Sequence, residues 1–87
     1  MDFVYILRSQ KNNRYYIGCT EDLVNRLQKH NNGYVLSTKA YRLWEMLYTE
    51  TYNTLKEARH RERQLKSWKS RERLEKLIEK VNNGPIV

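Results

Sequence analysis

One carboxylate stands on a helical stripe that is otherwise apolar. Leu55, Ala58, Glu62 and Leu65 follow one another at spacings of three, four and three residues, which places them on one face of a helix. Burying a carboxylate without a partner is costly, and function is the simplest reason to keep one there. We therefore expect Glu62 to point toward the sheet and to have a functional role.

Two tyrosines and a pair of basic residues offer complementary groups. Tyr5 and Tyr16 lie in segments typical of strands, on faces that could meet across a hairpin. Arg26 and His30 are four residues apart on a predicted helix, so they are neighbours on one side of it. A guanidinium binds anionic oxygens with a fixed fork of donors, and phenol and imidazole groups transfer protons. Each of these residues taken alone is nevertheless more often structural than functional.

The net charge favours an anionic substrate. The 87 residues include 17 Lys and Arg against 10 Asp and Glu, a formal net charge of +7. A basic protein suits a polyanionic partner, with nucleic acid first and a membrane surface second. Many small proteins are basic for solubility alone, so the placement of the cations must decide between these interpretations.

The elements that would position these groups begin with a hairpin and a helix. Residues 3–7 and 15–17 predict two antiparallel strands joined by a polar turn. Thr20 is the predicted N-cap of a helix over residues 21–30, which starts with acidic residues. Residues 31–33, Asn-Asn-Gly, are typical of a helix end.

The second half of the chain predicts one strand and two helices. Residues 43–52 are rich in strand formers. Residues 54–57, Thr-Leu-Lys-Glu, match a capping box, so the second helix begins near Leu55. After a break near Ser70, a third helix runs to the stop signal at residues 82–85. Its apolar face comprises Leu74, Leu77, Ile78 and Val81.

These elements predict one α/β (α+β) domain over residues 1–87. We expect an antiparallel three-stranded sheet with packed helices, in the order β-β-α-β-α-α.

Two short motifs carry a family resemblance. Residues 4–6 read Val-Tyr-Ile and residues 16–18 read Tyr-Ile-Gly, in the order and spacing of the two-strand signature of the GIY-YIG nuclease superfamily. The similarity covers most of the chain and continues at residues 20–23, 26–27, 30–31, 38, 44–45 and 58–62. Residues 61–62 and 66–71 resemble the second helix of the short, stand-alone proteins of this superfamily, which are largely of unassigned cellular role.

The sequence departs from the superfamily pattern at three places. No glycine precedes Val4, and Leu43 stands where many relatives have proline. The segment after Glu62 lacks an asparagine that some of the nucleases carry. The first two differences remove no reactive group, whereas the third would remove an accessory contact of the active site.

The resemblance implies a GIY-YIG fold and endonucleolytic hydrolysis of nucleic-acid phosphodiesters. It makes Glu62 the single protein ligand of one Mg²⁺ or Mn²⁺ ion, a hard cation that prefers oxygen and keeps several waters. One of Tyr5 and Tyr16 would act as general base or orient the attacking water, helped by a cation that lowers the phenol pKa. Arg26 would hold the phosphate, and His30 would hydrogen-bond a tyrosine or a phosphate.

These roles set a geometric expectation. Tyr5, Tyr16, Arg26 and Glu62 should line a single concavity. A structure with Glu62 on the opposite side of the sheet from Tyr5 would end the nuclease interpretation.

Further phosphate contacts are predicted at five residues. Gly18 would let the substrate approach the backbone, and the helical cations would follow the phosphates; the predicted set is Gly18, Arg26, Lys66, Lys69 and Arg71. The basic face of the second and third helices is equally well interpreted as a solvated exterior laced with glutamates.

The expected partner is nucleic acid, with DNA first, and a protein partner could supply specificity. Two alternatives to the nuclease remain open. The domain could bind nucleic acid without cleaving it, or it could be a protein-interaction subunit.

The lone Cys19 cannot form an internal disulfide, which favours a reducing, cytoplasmic compartment. No apolar run approaches the roughly 20 residues that span a bilayer, and the N-terminus lacks a basic signal segment. We therefore expect no membrane partner. Cys19 itself is interpreted as a small buried thiol and not as a nucleophile.

Overall fold

The structure, a computed structural model, describes residues 1–82. Its elements follow the predicted order β-β-α-β-α-α, and the fold class is confirmed. They are β1 (Asp2–Ser9), β2 (Tyr15–Thr20), α1 (Leu23–Asn31), β3 (Trp44–Tyr52), α2 (Leu55–Ser67) and α3 (Arg71–Asn82). The predicted stop signal falls mostly outside the described residues, at 83–85, as does the side chain of Val81. Within residues 1–82, no helix combines the length and apolar character needed to cross a bilayer.

The sheet has the strand order β2-β1-β3, with both pairs antiparallel. Because side chains alternate between the two faces, a strand is buried continuously only when both faces are covered. The central strand β1 meets this condition, since Val4, Tyr5, Ile6 and Leu7 are all 0% exposed. Within residues 1–82, β2 has a neighbouring strand on one side only and is an edge strand.

The two faces of the sheet carry separate cores. On one face, α2 and α3 pack over a cluster that includes Val4, Ile6, Ile17, Ala58, Leu65 and Ile78. On the other face, the region of α1 packs over Tyr5, Leu7 and Trp44, joined by Tyr16, Leu23 and Leu27. The first face is called the α2 face below, and the second the α1 face.

α1 begins later than predicted, because Asp22 caps it and Thr20 does not. The Asp22 carboxylate accepts a hydrogen bond from the backbone N–H of Asn25 at 3.0 Å. Thr20 is the last residue of β2, and its hydroxyl accepts from the Asp22 N–H at 3.2 Å. The helix end agrees with the prediction, since Gly33 has φ +81°, a left-handed conformation that suits glycine.

Polar side chains fix the segment between α1 and β3. Asn31 acts as a backbone mimic: its Oδ1 accepts from the Trp44 N–H at 2.6 Å, and its Nδ2 donates to the Trp44 carbonyl at 3.1 Å. The Trp44 indole donates to the carbonyl of Thr38 at 3.0 Å. A 3₁₀ turn (Lys39–Tyr41) completes the segment. Thr38 is thereby buried against α1.

The start of α2 agrees with the prediction, since the Thr54 hydroxyl accepts from the Glu57 N–H at 3.2 Å. The capping box is half formed, because the Glu57 carboxylate accepts from the Thr54 hydroxyl, at 3.0 Å, and not from the Thr54 N–H. Leu55 does not belong to the buried stripe, because it is 41% exposed. The predicted break between the last two helices is present, with Lys69 at φ +47°.

Candidate active site at the edge of the sheet

A buried tyrosine hydroxyl joins the two basic residues of α1. Tyr5 points from β1 to the α1 face and has no exposed surface. Its hydroxyl oxygen lies 2.9 Å from His30 Nε2 and 3.3 Å from Arg26 Nε. The spacing of four residues along α1 is what brings both basic groups to the same hydroxyl.

These hydrogen bonds run in one direction. The Arg26 guanidinium can only donate, so the Tyr5 oxygen accepts from it. His30 Nδ1 lies 2.8 Å from Thr38 Oγ1, and the Thr38 hydroxyl donates its single proton to the carbonyl of Val35 at 3.3 Å. The imidazole proton is therefore assigned to Nδ1, which leaves Nε2 to accept from the Tyr5 O–H.

Burial sets the charge states of these groups. Burial, helped by the Arg26 charge, lowers the pKa of His30 to about 4, so the ring is neutral near pH 7. Burial raises the pKa of Tyr5 to about 12, although the hydrogen bond from Arg26 acts in the opposite direction. The Arg26 cation thus acts on the Tyr5 pKa in the expected direction, but desolvation outweighs it and the net shift is upward. The hydrogen bond with Tyr5 is the main cause that raises the pKa of Arg26.

Gly18 and Tyr16 contribute the β2 part of the α1 face. Gly18 is the cross-strand partner of Tyr5, and a Cβ at this position would overlap the tyrosine hydroxyl. The Tyr5 ring thus fills the space that we expected to admit substrate. Tyr16 is half-buried, and its ring centroid lies 4.9 Å from that of His30 and 6.3 Å from that of Tyr5. The two tyrosines share a face, as expected.

Glu62 belongs to the opposite layer of the molecule. Its helix packs on the α2 face, away from Tyr5. The Glu62 side chain is 18% exposed, and its two oxygens accept from the Cys19 thiol at 3.3 Å and from Lys66 Nζ at 2.9 Å. It does point toward the sheet. The helix that carries Glu62 covers the side of the sheet opposite Tyr5, an arrangement that we expected to end the nuclease interpretation. That expectation did not allow for the position of β2 at the edge of the sheet. The shared concavity of the four residues stays a prediction.

The edge position of β2 determines what this separation means. Gly18 supports the Tyr5 side of the strand, and the next residue, Cys19, contacts Glu62 on the other side. An internal strand would block any substrate from touching both faces. At a free edge the two faces meet across the thickness of one strand. A phosphate at this edge could approach Arg26 and Glu62 from outside the sheet.

The donors around Glu62 fit a hard cation and no softer metal. Residues 1–82 contain no group of three or more His, Cys, Asp or Glu side chains arranged to hold an ion. A single carboxylate suits Mg²⁺ or Mn²⁺, which complete their shells with water and phosphate oxygens. Burial and the neighbouring Glu62 raise the pKa of Cys19, so its thiol is protonated and is a poor ligand. Lys66 would have to release one Glu62 oxygen.

Two of the three predicted helical phosphate contacts are already engaged within the fold. Lys66 pairs with Glu62 at 2.9 Å. Arg71 lies 4.0 Å over the ring of Tyr15, donates to the carbonyl of Asn13 at 2.7 Å and pairs with Glu75 at 3.0 Å. Lys69 is exposed in the link between α2 and α3.

Thr38 and Cys19 were not predicted as site residues. Thr38 orients the imidazole of His30, and its only signal in the sequence was its place in the family pattern. Cys19 holds one oxygen of Glu62, and no local feature of the sequence indicates this contact, because the partners are 43 residues apart.

Known proteins share this fold and these motifs. Residues 1–76 match the GIY-YIG catalytic domain. A UPF0213 protein of Staphylococcus epidermidis is 37% identical over 78 residues, covering 88% of this chain and 94% of that protein. UPF0213 protein YazA of Bacillus subtilis is 34% identical over 83 residues, covering 94% and 82%.

A solved structure agrees with the sequence matches. The solution NMR structure of a UPF0213 protein from Bacillus halodurans superimposes with a TM-score of 0.58 at 29% identity, covering 98% of this chain and 89% of that one. The domain match spans both strand motifs and α2 with Glu62. The chain therefore belongs to the GIY-YIG family, which is part of a nuclease-type superfamily.

Proposed function

We propose that the protein is a divalent-metal-dependent endonuclease that cleaves nucleic-acid phosphodiesters, DNA first, at the free edge of β2. The observation that carries this proposal is the pair of hydrogen bonds between the Tyr5 hydroxyl and the side chains of Arg26 and His30. On the other face of the same two strands, Cys19 of β2 contacts Glu62 of α2. Family membership supports a nucleic-acid substrate. The reduced thiol of Cys19 favours action in the cytoplasm.

Arg26 is the residue that would bind the phosphate. Its Nε–H is used by Tyr5, which leaves the terminal amino groups of the guanidinium for anionic oxygens. The series of hydrogen bonds from Tyr5 through His30 to Thr38 holds the Arg26 guanidinium in place. This limits the entropy that is lost when the guanidinium binds a phosphate. These buried residues are positioning residues in the proposal.

Burial favours Tyr16 over Tyr5 as the tyrosine that touches the attacking water. Tyr5 has no exposed surface, and its proton is donated to His30. Tyr16 is half-buried and its phenol contributes to the raised pKa of Arg26, so the two groups are neighbours. A tyrosine beside a guanidinium can orient a water, and in its phenolate form it can accept a proton from that water.

Glu62 would hold the ion with one oxygen that Lys66 now occupies, while the Cys19 thiol fixes the other. The bound Mg²⁺ or Mn²⁺ would supply positive charge to the phosphate and acidify a water.

The direct test incubates pure protein with branched, single-stranded and duplex DNA and with RNA, in Mg²⁺, in Mn²⁺ or in EDTA. We expect cleavage of at least one substrate with a divalent ion and none in EDTA. Absence of cleavage under every metal condition would overturn the proposal.

The two tyrosines provide a second prediction. Tyr16→Phe should lower the cleavage rate by about 100-fold or more with little change in stability, because it removes the group at the water. Tyr5→Phe should cost about 1–3 kcal/mol of stability, because it leaves His30 Nε2 buried without a donor. Single-turnover cleavage and urea denaturation measure the two effects. Equal rates for Tyr16→Phe and the parent would remove Tyr16 from the mechanism.

A non-catalytic nucleic-acid-binding module is the second candidate. Two observations favour it: Glu62 forms an ion pair with Lys66, and it lies in the layer opposite Tyr5. Both are consistent with a carboxylate that binds no metal ion. Binding in EDTA together with no cleavage in any metal would establish this function in place of the first.

A further inference from the structure

Three cations converge on a groove between the β1–β2 turn and the 3₁₀ turn. The groove encloses about 480 Å³ and is lined by Lys11, Leu36, Lys39, Ala40 and Arg42. No acidic side chain of the described residues lines it. None of the three cations forms an ion pair within the described part of the chain. We call this feature the loop groove.

Backbone contacts hold the cations close together in spite of their repulsion. Lys11 Nζ donates to the carbonyl of Ala40 at 3.3 Å. The guanidinium of Arg42 lies over Gly33, where a Cβ would collide with it and reach the side chain of Lys39. Clustered like charges lower the stability of the free protein, and a bound anion would relieve this cost.

The loop groove lies on the same side of the sheet as Arg26. Lys39 follows Thr38 directly, and the Thr38 hydroxyl lies 2.8 Å from Nδ1 of His30 in α1. One residue thus joins the wall of the groove to the hydrogen-bonded chain of the candidate site. Leu36 is 89% exposed and offers an apolar surface among the cations. Phosphates beside flat, apolar bases match this combination better than an inorganic anion does.

The cations of α2 and α3 are less available for binding phosphates than those of the loop groove. Of the five ion pairs within residues 1–82, four use a cation of α2 or α3. The exposed cations of these helices that form no such pair include Lys56, Arg63 and Lys80. They provide a matched comparison for the loop groove.

We propose that the loop groove binds the phosphate backbone of the nucleic-acid strand whose scissile phosphate lies at Arg26. The nucleic-acid strand follows the outer surface of the α1 side of the molecule, and Lys11, Lys39 and Arg42 each contact a phosphate. The inference deepens the proposed function and rests on it, because the nucleic acid is the same substrate.

The test compares two triple variants that each remove two lysines and one arginine. The groove variant is Lys11→Gln/Lys39→Gln/Arg42→Gln, and the helix variant is Lys56→Gln/Lys80→Gln/Arg63→Gln. Binding of labelled duplex and single-stranded DNA is measured in EDTA across a salt series, after circular dichroism confirms folding. We expect the groove variant to bind about tenfold or more weakly and its log–log salt slope on duplex to fall by up to about 2.7, at about 0.9 per lost contact. The helix variant should stay within about threefold of the parent.

Equal losses in both variants, a loss in the helix variant alone, or no loss in either would overturn the inference, as would a parent that binds no nucleic acid. The proposed function fails separately. Binding through the loop groove without metal-dependent cleavage would contradict endonuclease activity and support the binding surface. Cleavage by a groove variant with unchanged binding would support endonuclease activity and contradict the binding surface.

Discussion

The His30 imidazole has no exposed surface, and each of its nitrogens has a partner, Tyr5 on one side and Thr38 on the other. A second proton would break the Nε2 acceptor bond and place a charge beside Arg26. The same contacts that fix Tyr5 therefore make the fold sensitive to acid.

The pH dependence of stability follows from the pKa of His30. Folding lowers this pKa from 6.5 to about 4, so the unfolded chain binds more protons between these values and stability falls as the pH drops through this window. We expect a loss of up to about 3 kcal/mol in the free energy of unfolding from pH 7 to pH 4. Urea denaturation at several pH values measures it.

His30→Gln is the control for this effect. The variant should be less stable at pH 7 but should lose less stability than the parent between pH 6.5 and pH 4. Parallel pH profiles for the two proteins would show that His30 is not the responsible group.

At the scale of elements, a carboxylate on β3 fixes the position of α2. Glu50 accepts hydrogen bonds from Tyr48 at 2.5 Å, from Tyr52 at 2.7 Å and from Arg61 at 2.9 Å. Hydrogen bonds from Arg61 and the tyrosines lower the pKa of Glu50 against the opposing effect of burial. Because Glu62 is the next residue after Arg61, this contact also sets where the candidate metal ligand lies.

Breaking this contact should be expensive. Arg61→Ala leaves Glu50 partly buried without its cation, and we expect a loss of about 2 kcal/mol or more in the free energy of unfolding. Glu75→Ala removes the partner of Arg71 in an exposed pair and should cost under about 0.5 kcal/mol. Urea denaturation of both variants measures the contrast. Equal losses would mean that the Glu50 contact contributes no more than a surface pair.

Local patterns predicted most of the elements because each depends on a few neighbouring residues. Strand alternation placed Tyr5 and Tyr16 on one face, and the capping box located the start of α2 at Leu55. The predicted N-cap of α1 was wrong because Thr20 and Asp22 are both residues that cap helices well. β2 extends through Thr20, so Asp22 is the residue that caps the helix.

The candidate site was less predictable, because it depends on which face each helix covers. The helical stripe around Glu62 indicates that it points inward but not to which side of the sheet. Likewise, spacing brought Arg26 and His30 together, but only the tertiary structure shows that Tyr5 is fully buried and that Tyr16 is not.

At the scale of the whole molecule, the cations that give the +7 charge are not equally free to bind an anion. The helical layer opposite Tyr5 neutralises several of its cations internally, whereas those of the loop groove remain unpaired among the described residues. The central claim is that one phosphate at the edge of β2 meets Arg26 from one face and Glu62 from the other.

The most direct measurement of this claim compares cleavage and binding for Glu62→Gln on the same DNA, with Glu79→Gln on the exposed face of α3 as the control. The substitution keeps the shape of the side chain and removes its charge. We expect metal-dependent cleavage to fall by at least about 100-fold, while binding in EDTA stays within about threefold of the parent and Glu79→Gln changes neither. Cleavage by Glu62→Gln at the parental rate would contradict the account.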